Sequence, residues 1–361
     1  MPNLEVYFGR PQIGEDEIAA VNYALKRKRL TNAGMVMQFE ERFQEFIGGG
    51  VAVAVSSCFA ALHLALLIKG VGRDDEVIVP ALTHCAVANA VEHVGGRCVF
   101  VDCHVDSGNI DPDLVEQAIT PRTRAITLVH YLGIPAYMKS MLDISRRHNL
   151  PLIEDCALAL GTRHEGSGKH VGLIGDIGCF SFYPAKHITT GEGGMLTTNE
   201  PISADAAKRF RSFGYTDRFG DIENPGCNYR MTELQAALGV AQMKRAAKFV
   251  HQRAINSKLL SQLLSGKLNL YQGNYAVSVM LPAGVDRDAI RAKMLTDLIE
   301  TSVYYPRPVP HFSYYRNKYG YGRYPVAEDI SHHSIALSVG PHLTQDKIIY
   351  QAERLLHHVF N

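Results

Sequence analysis

Between residues 51 and 153, short runs rich in β-branched residues alternate with helix-length segments. Val51 to Val55, Val77 to Val79, Cys98 to Val101, Ala125 to Val129 and Leu152 to Ile153 read as strands, with stretches such as Ala60 to Ile68 between them. Such alternation predicts a mostly parallel sheet with helices on its faces. Ahead of it, Ile18, Val21 and Leu25 recur at i, i+3 and i+7 behind the acidic turn Glu15-Asp16-Glu17, which predicts a helix with an apolar face. After Ile174 the rhythm changes. Gly178 to Phe182 and Met195 to Thr198 flank the turn Gly191-Glu192-Gly193-Gly194, and two strands so close together predict an antiparallel or irregular excursion. Thr232 to Val250 predicts a long helix, with Leu234, Ala237, Leu238, Met243 and Ala247 near one face. A further helix-strand alternation, a tyrosine-rich loop from Tyr304 to Tyr324 and a closing helix near Gln345 to Val359 predict a second, smaller α/β domain. The chain is thereby divided into a large domain over 1–249 and a small one over 250–361.

Composition narrows the classes. At roughly 150 residues per domain, 361 residues allow two or three structural units. Apolar types at 46% and charged types at 20% exclude disorder as the main state. Lys plus Arg is 37 and Asp plus Glu is 36, a formal charge of +1, so no net field exists to grip nucleic acid or an anionic membrane. The basic run Lys26-Arg27-Lys28-Arg29 is accounted for by the macrodipole at the end of the predicted helix. The longest apolar stretch, Phe59 to Ile68, is interrupted by His63 and falls far short of the ~18 residues of a membrane span. Met1-Pro2-Asn3 leads into Glu5 and Arg10 without the pattern that marks secretion. The seven cysteines, at 58, 85, 98, 103, 156, 179 and 227, show no CxxC spacing, so neither a disulfide framework nor a zinc knuckle is expected. A cytoplasmic protein without a structural metal fits this usage. Cys98 and Cys103, five apart on a strand, would face opposite sides, and the pairs His332-His333 and His357-His358 read as solvated.

The sharpest local chemistry lies between Leu152 and Gly194. The strand Leu152-Ile153-Glu154-Asp155 ends in two carboxylates, and ligands of open α/β sheets bind at the carboxyl ends of strands. Taken singly, Asp155 reads first as a helix cap. Lys186, amid aromatic and small residues beside the glycine turn, is a candidate amine nucleophile, although a surface role is the default for a lone lysine. Together these residues are consistent with pyridoxal phosphate. That cofactor needs an amine for its Schiff base, an acid at its pyridine nitrogen and donors for a dianionic phosphate. Lys186 and Asp155 supply the first two. Ser181 and the strand-to-helix turn Ser56-Ser57-Cys58-Phe59-Ala60-Ala61 supply the third, because a helix N-terminus presents N–H groups to an anion.

The stretch 152–199 resembles the signature of the DegT/DnrJ/EryC1/StrS family, sugar-nucleotide aminotransferases of fold type I. The likeness extends to Ala54-Val55-Ser56-Ser57 with Ala60-Ala61-Leu62-His63, Pro80-Ala81-Leu82-Thr83-His84, Leu128-Val129-His130 with Gly133 and Pro135, and Asn228-Tyr229-Arg230-Met231-Thr232-Glu233. It covers nearly the whole chain, from Arg10-Pro11 to the region of Tyr305-Pro306 and Pro310-His311. The resemblance implies a fold type I PLP-dependent transferase: a large domain with a mostly parallel mixed sheet flanked by helices, and a smaller C-terminal α/β domain. Carried over residue by residue, it implies that Lys186 forms the Schiff base, Asp155 pairs with the pyridine nitrogen and His84 stacks on the ring. Ser181 and the amides at Ser57, Cys58 and Phe59 would bind phosphate. Asn228 would serve the phosphate of the neighbouring subunit, making the active form a homodimer with shared sites. Thr31 within Leu30-Thr31-Asn32-Ala33-Gly34, Arg230, and Tyr305 and His311 in the loop between them are the implied sugar-nucleotide contacts; taken alone, Arg230 is equally a salt-bridge residue.

The implied reaction moves an amino group from an amino acid, most often glutamate, to a nucleotide-linked keto-deoxysugar, giving an amino sugar for lipopolysaccharide or other polysaccharide, or for a secreted metabolite. Three departures stand out. Leu158 replaces the family's Gln, which removes a side-chain hydrogen bond to the cofactor's phenolic oxygen. Cys58-Phe59 replaces Gly-Thr, which removes a hydroxyl and adds bulk. His187 replaces the Asn after the lysine. The alternatives are a sugar dehydratase on the same fold, whose members carry histidine where Lys186 stands, and a catalytically silent cofactor-binding regulator, which the altered Leu158 and Phe59 would suit. A nucleic-acid-binding regulator has only Lys26 to Arg29 in its favour.

Overall fold

The computed structural model describes residues 4–31, 33–216 and 220–361. Seven strands build one sheet: β1 (Val51–Val55), β2 (Glu76–Pro80), β3 (Arg97–Val101), β4 (Thr123–Val129), β5 (Leu152–Asp155), β6 (Ile177–Ser181) and β7 (Gly194–Thr198), in the order β1-β7-β6-β5-β4-β2-β3. β7 runs antiparallel to both neighbours, and every other pairing is parallel. The excursion expected after Ile174 is thus the β6–β7 reversal inside the main sheet. Helices α1 (Glu15–Leu25), α2 (Gly34–Ile47), α3 (Cys58–Ile68), α4 (Cys85–His93), α5 (Pro112–Ala118), α6 (Met138–His148), α7 (Pro201–Phe210) and α8 (Glu233–Leu264) accompany it. Residues of β2, β5 and β7 are buried along their whole length, as a sheet covered on both faces requires. Phe39 and Phe43 of α2 pack edge-on against Phe180 and Phe182, with centroids 5.0 to 5.6 Å apart, and close the core beneath β6.

Helix α1 forms where expected, but its apolar stripe is not a core face. Ile18 and Leu25 are about half exposed, while Glu17 and Ala24 are buried. Glu17 explains the orientation. Its carboxylate accepts from the Gly14 amide at 2.8 Å and Gln242 Nε2 at 2.9 Å, and pairs with Arg245, so α1 is docked on α8 through a buried acid.

Helix α8 is longer than its apolar periodicity predicted. Thr232 caps it, its Oγ1 accepting from the Gln235 amide at 3.3 Å while Gln235 reaches back to the Thr232 amide at 2.9 Å. It then runs unbroken for 32 residues, through the expected domain division at 249/250. Beyond that point it buries polar side chains, Arg253, Asn256 and Ser257, which interrupt the apolar period. Its far end, Leu260 and Leu264, packs on a second sheet of order β10-β9-β8, with β8 (Asn269–Gln272), β9 (Ala276–Met280) and β10 (Ser334–Ser338) antiparallel throughout. Val6 belongs to the same cluster and bridges Ile299, so the start of the described chain returns to the smaller core. The closing helix spans Gln345–Phe360. Among the described residues no helix is long and apolar enough to cross a membrane.

Helices α2 and α8 meet at Glu233. Fully buried at the start of α8, it accepts from the amides of Ala33 and Met35 at 2.8 Å and of Val36 at 3.3 Å, capping α2 from another helix. Glu233→Ala is expected to lower stability by about 2 kcal/mol, with Glu233→Gln losing less because its amide keeps one acceptor oxygen. Urea unfolding of the two variants checks this.

Candidate active site

The carboxyl ends of β1, β2, β5 and β6 and the start of the reversed β7 gather at one edge of the sheet, around a cavity of about 390 Å³. Lys186, Asp155, His84, Ser57 and Ser181 all line it. Asp155 is the last residue of β5 and is buried. Its Oδ1 accepts from the Ala157 amide at 2.9 Å and faces the Cys58 thiol at 3.9 Å; among the described residues Oδ2 takes no hydrogen bond. Burial raises its pKa, against the opposing pull of the Ala157 amide and the charge of Lys186. The Cys58 thiol is pushed up in turn, by its own burial first and by Asp155 second.

Ser57 is the N-cap of α3, its Oγ accepting from the Ala60 amide at 3.1 Å. The Cys58 and Phe59 amides in the first turn have no helical carbonyl behind them and are available to an anion. The glycine turn makes this geometry possible. A Cβ on Gly194 would lie 2.4 Å from the Ser57 carbonyl carbon and 2.6 Å from the Cys58 nitrogen, so β7 can approach the helix start only without a side chain. The close approach that Gly194 permits is therefore to the Ser57-Cys58 peptide. His84 caps α4, and its Nδ1 accepts from the Ala86 amide at 3.2 Å, which leaves the ring proton on Nε2. Burial lowers its pKa, Lys186 adding to the effect and Asp155 opposing it, so the ring is neutral near pH 7.

Of the implied sugar-nucleotide contacts, only Tyr305 lines the cavity. Thr31 is exposed and bridges Thr232; Asn32 lies outside the described residues. Arg230 sets its guanidinium 4.8 Å from the Phe213 ring centroid, and His311 stacks on Tyr321 at 4.6 Å with Nε2 3.0 Å from the Gly322 carbonyl. Asn228 is exposed beside Ser212, away from its own chain's cavity. Sequence reading missed Tyr275 and Tyr304 as cavity walls, hydroxyl to hydroxyl at 2.9 Å. Tyr304 was visible only as one of many tyrosines, and Tyr275 sits in no local motif. Leu158 also lines the cavity, placing an aliphatic group where the family carries an amide.

Glu154 points away from the cavity. Its carboxylate takes His130 Nε2 at 2.9 Å and the amides of Gly172, Ile174 and Gly175 at 2.6 to 3.0 Å. His130 Nδ1 accepts from the Ala136 amide at 3.1 Å, so its Nε2 carries the proton toward Glu154. With Cys156 these side chains are close enough to suggest a metal, but the carboxylate is already filled by four donors and its role is structural.

The model of the DegT/DnrJ/EryC1/StrS aminotransferase family matches residues 11–355. The chain is 35% identical to a GDP-perosamine synthase of Escherichia coli O157:H7, over 98% of each protein. Among solved structures it resembles S. venezuelae DesV in complex with a ketimine intermediate, at TM-score 0.90 and 31% identity over 96% of this chain and 94% of that one. It also resembles Spr1654 from Streptococcus pneumoniae in its PMP-form, at TM-score 0.91 and 26% identity over 98% and 99%.

Burial alone would raise the pKa of Glu154, but the His130 hydrogen bond and the Gly172 and Gly175 amides outweigh it and hold the carboxyl below its ordinary value of 4.5. A depressed folded-state pKa adds stability above the unfolded value, and that stability is lost as pH falls through the folded one. Glu154→Gln is expected to cost about 2 kcal/mol at neutral pH and to flatten the fall of stability below pH 4.5, as read from urea unfolding over a pH series.

Proposed function

The chain belongs to the DegT/DnrJ/EryC1/StrS aminotransferase family, and from that premise we propose that it moves an amino group from glutamate to a nucleotide-linked keto-deoxysugar. The observation that carries this reading is the convergence of Lys186, Asp155 and the first turn of α3 on one cavity. These residues fit the family's cofactor, pyridoxal phosphate. The buried Asp155 has one oxygen without a hydrogen bond among the described residues, and a helix start that β7 adjoins through the side-chain-free Gly194 presents its amides. Bound there, the cofactor supplies an aldehyde carbon for amines and a ring that draws electrons from the substrate's breaking bond.

The chain's own residues do the rest. Asp155 would accept from the ring nitrogen and keep it protonated; its raised pKa reflects the burial that would make an unpaired carboxylate costly there. The amides of Cys58 and Phe59 and the Ser181 hydroxyl would donate to the phosphate. Ser57 Oγ accepts from Ala60, so its own hydroxyl proton is left to donate as well. His84, neutral, would lie along the ring face. Lys186 would hold the cofactor through its amine and, once freed by the amino donor, would move a proton from the donor's α-carbon as general base and return one as general acid when the keto sugar is aminated.

A homodimer completes the site. Asn228, exposed and outside its own cavity, would reach the partner's phosphate, and Thr31, Arg230, Tyr305 and His311 would meet the sugar nucleotide near the subunit boundary. The enzyme works in the cytoplasm and feeds amino sugar into polysaccharide. Lysine at position 186 weighs against a dehydratase.

Absorbance of the purified protein tests the central claim. Glutamate is expected to bleach the cofactor band of the wild type and to leave Lys186→Ala unchanged; no bleaching with any amino donor would instead favour the silent regulator. Mixing Lys186→Ala and Asn228→Ala subunits tests the shared site. Each variant alone is expected to be impaired, and random exchange should restore about a quarter of the wild-type sites. No recovery on verified exchange would remove Asn228 from the neighbouring site.

A further inference from the structure

We propose that Tyr275 is the seat of the free Lys186 ammonium, and that His187 and Arg253 are positioning residues that hold its ring in place. The inference rests on Lys186 being the amine that bonds the cofactor, and it adds where that amine goes when released.

Tyr275 stands just ahead of β9, is 3% exposed and lines the cavity. Lys186 Nζ lies 5.3 Å from its ring centroid, inside the ~6 Å over which an aromatic face attracts a cation. On the proposed reading, the freed Lys186 amine would take up the proton of the donor's α-carbon and so become charged in each turnover. A cation in a cavity walled by Leu62, Val129 and Leu158 needs a partner that stays put. The other groups round it do not serve. Asp155 would be engaged at the ring nitrogen when the cofactor is bound, and its pull on Lys186 is common to every variant compared below; His84 is neutral, Glu192 is exposed at the rim, and the thiol of Cys58 and the hydroxyl of Tyr305 are held protonated by burial. The Tyr275 ring is the surface Lys186 already meets.

Tyr275 is held at its backbone and at its ring. Arg253 Nη1 donates to its backbone carbonyl at 3.0 Å and sets the guanidinium 5.5 Å from the ring centroid, the Tyr304 hydroxyl lies 2.9 Å from the Tyr275 hydroxyl, and the His187 ring packs on it at 5.7 Å. His187 follows Lys186 in the chain, so one short segment carries both the amine and the ring that fixes its seat. His187 is 4% exposed and its Nε2 has no hydrogen-bond partner among the described residues. An unpartnered buried nitrogen costs stability, and what the ring returns is its packing on Tyr275. Burial, with the charges of Arg253 and Lys186, keeps His187 neutral, so it adds no further cation beside the ring to that of Arg253.

Reductive methylation of the cofactor-free full chain over a pH series, with Lys186 followed by peptide mass spectrometry, tests the proposal. Tyr275→Phe keeps the face and is expected to keep the wild-type profile. Tyr275→Leu removes it and should raise the fraction of Lys186 labelled at a fixed pH on the order of tenfold. His187→Ala should move the profile the same way by less, and His187→Phe should restore it. Lys318, paired with Glu92 outside the cavity, is the control for folding in the same digests. Coincident profiles for Tyr275→Leu and wild type, or a Tyr275→Phe profile displaced as far as that of Tyr275→Leu, would overturn the proposal. If Tyr275→Leu does not fold, the His187→Ala and His187→Phe pair carries the same comparison. The absence of cofactor separates this outcome from the spectral one: the spectrum fails if Lys186 is not the cofactor's amine, the labelling fails if Tyr275 does not hold it.

Discussion

Successive side chains of a strand face opposite sides, and the site depends on that alternation at the end of β5. Glu154 and Asp155 are neighbours in sequence and both buried, yet one is consumed by His130 and three amides while the other opens onto the cavity. The first ties the 172–175 segment beneath the sheet. The second keeps an oxygen free. Two adjacent carboxylates on the same side would repel each other and compete for the same donors; on opposite sides, one is structural and the other remains available for chemistry.

The reversal of β7 is the second condition. Because it runs against its neighbours, its first residue, not its last, meets the helix start after β1, and that residue is Gly194. A parallel strand in the same slot would bring its carboxyl end there instead. The glycine turn, the reversed strand and the capped start of α3 are therefore one arrangement, in which a backbone-only contact leaves the first-turn amides accessible.

How much of this was legible in the sequence follows from the range of the forces involved. Strands and helices were readable because periodicity is local, and Lys186, Asp155, Ser57 and Ser181 were readable because each lies within a short run tied to a strand end; His84 was reached only through the family resemblance. The orientation of α1 was not, because it is decided by Glu17 meeting Gln242 and Arg245 more than two hundred residues away. The far half of α8 was hidden by Arg253, Asn256 and Ser257, polar residues whose partners are distant backbone carbonyls. Tyr275 entered the site only through the smaller sheet's docking, which no local pattern announces. The likeness to known aminotransferases supplied candidates at Thr31, Arg230 and His311, but a single chain leaves these outside its own cavity.

The unbroken course of α8 also has a mechanical consequence. A rod whose two ends are sealed into separate cores transmits rotation instead of absorbing it, since a hinge midway would have to rupture successive i to i−4 hydrogen bonds. Large swings of one lobe against the other are thereby suppressed, and passage of bulky reactants is left to the rim: to side chains such as Tyr183 and Glu192, which stand exposed at the mouth and can turn aside without disturbing either lobe.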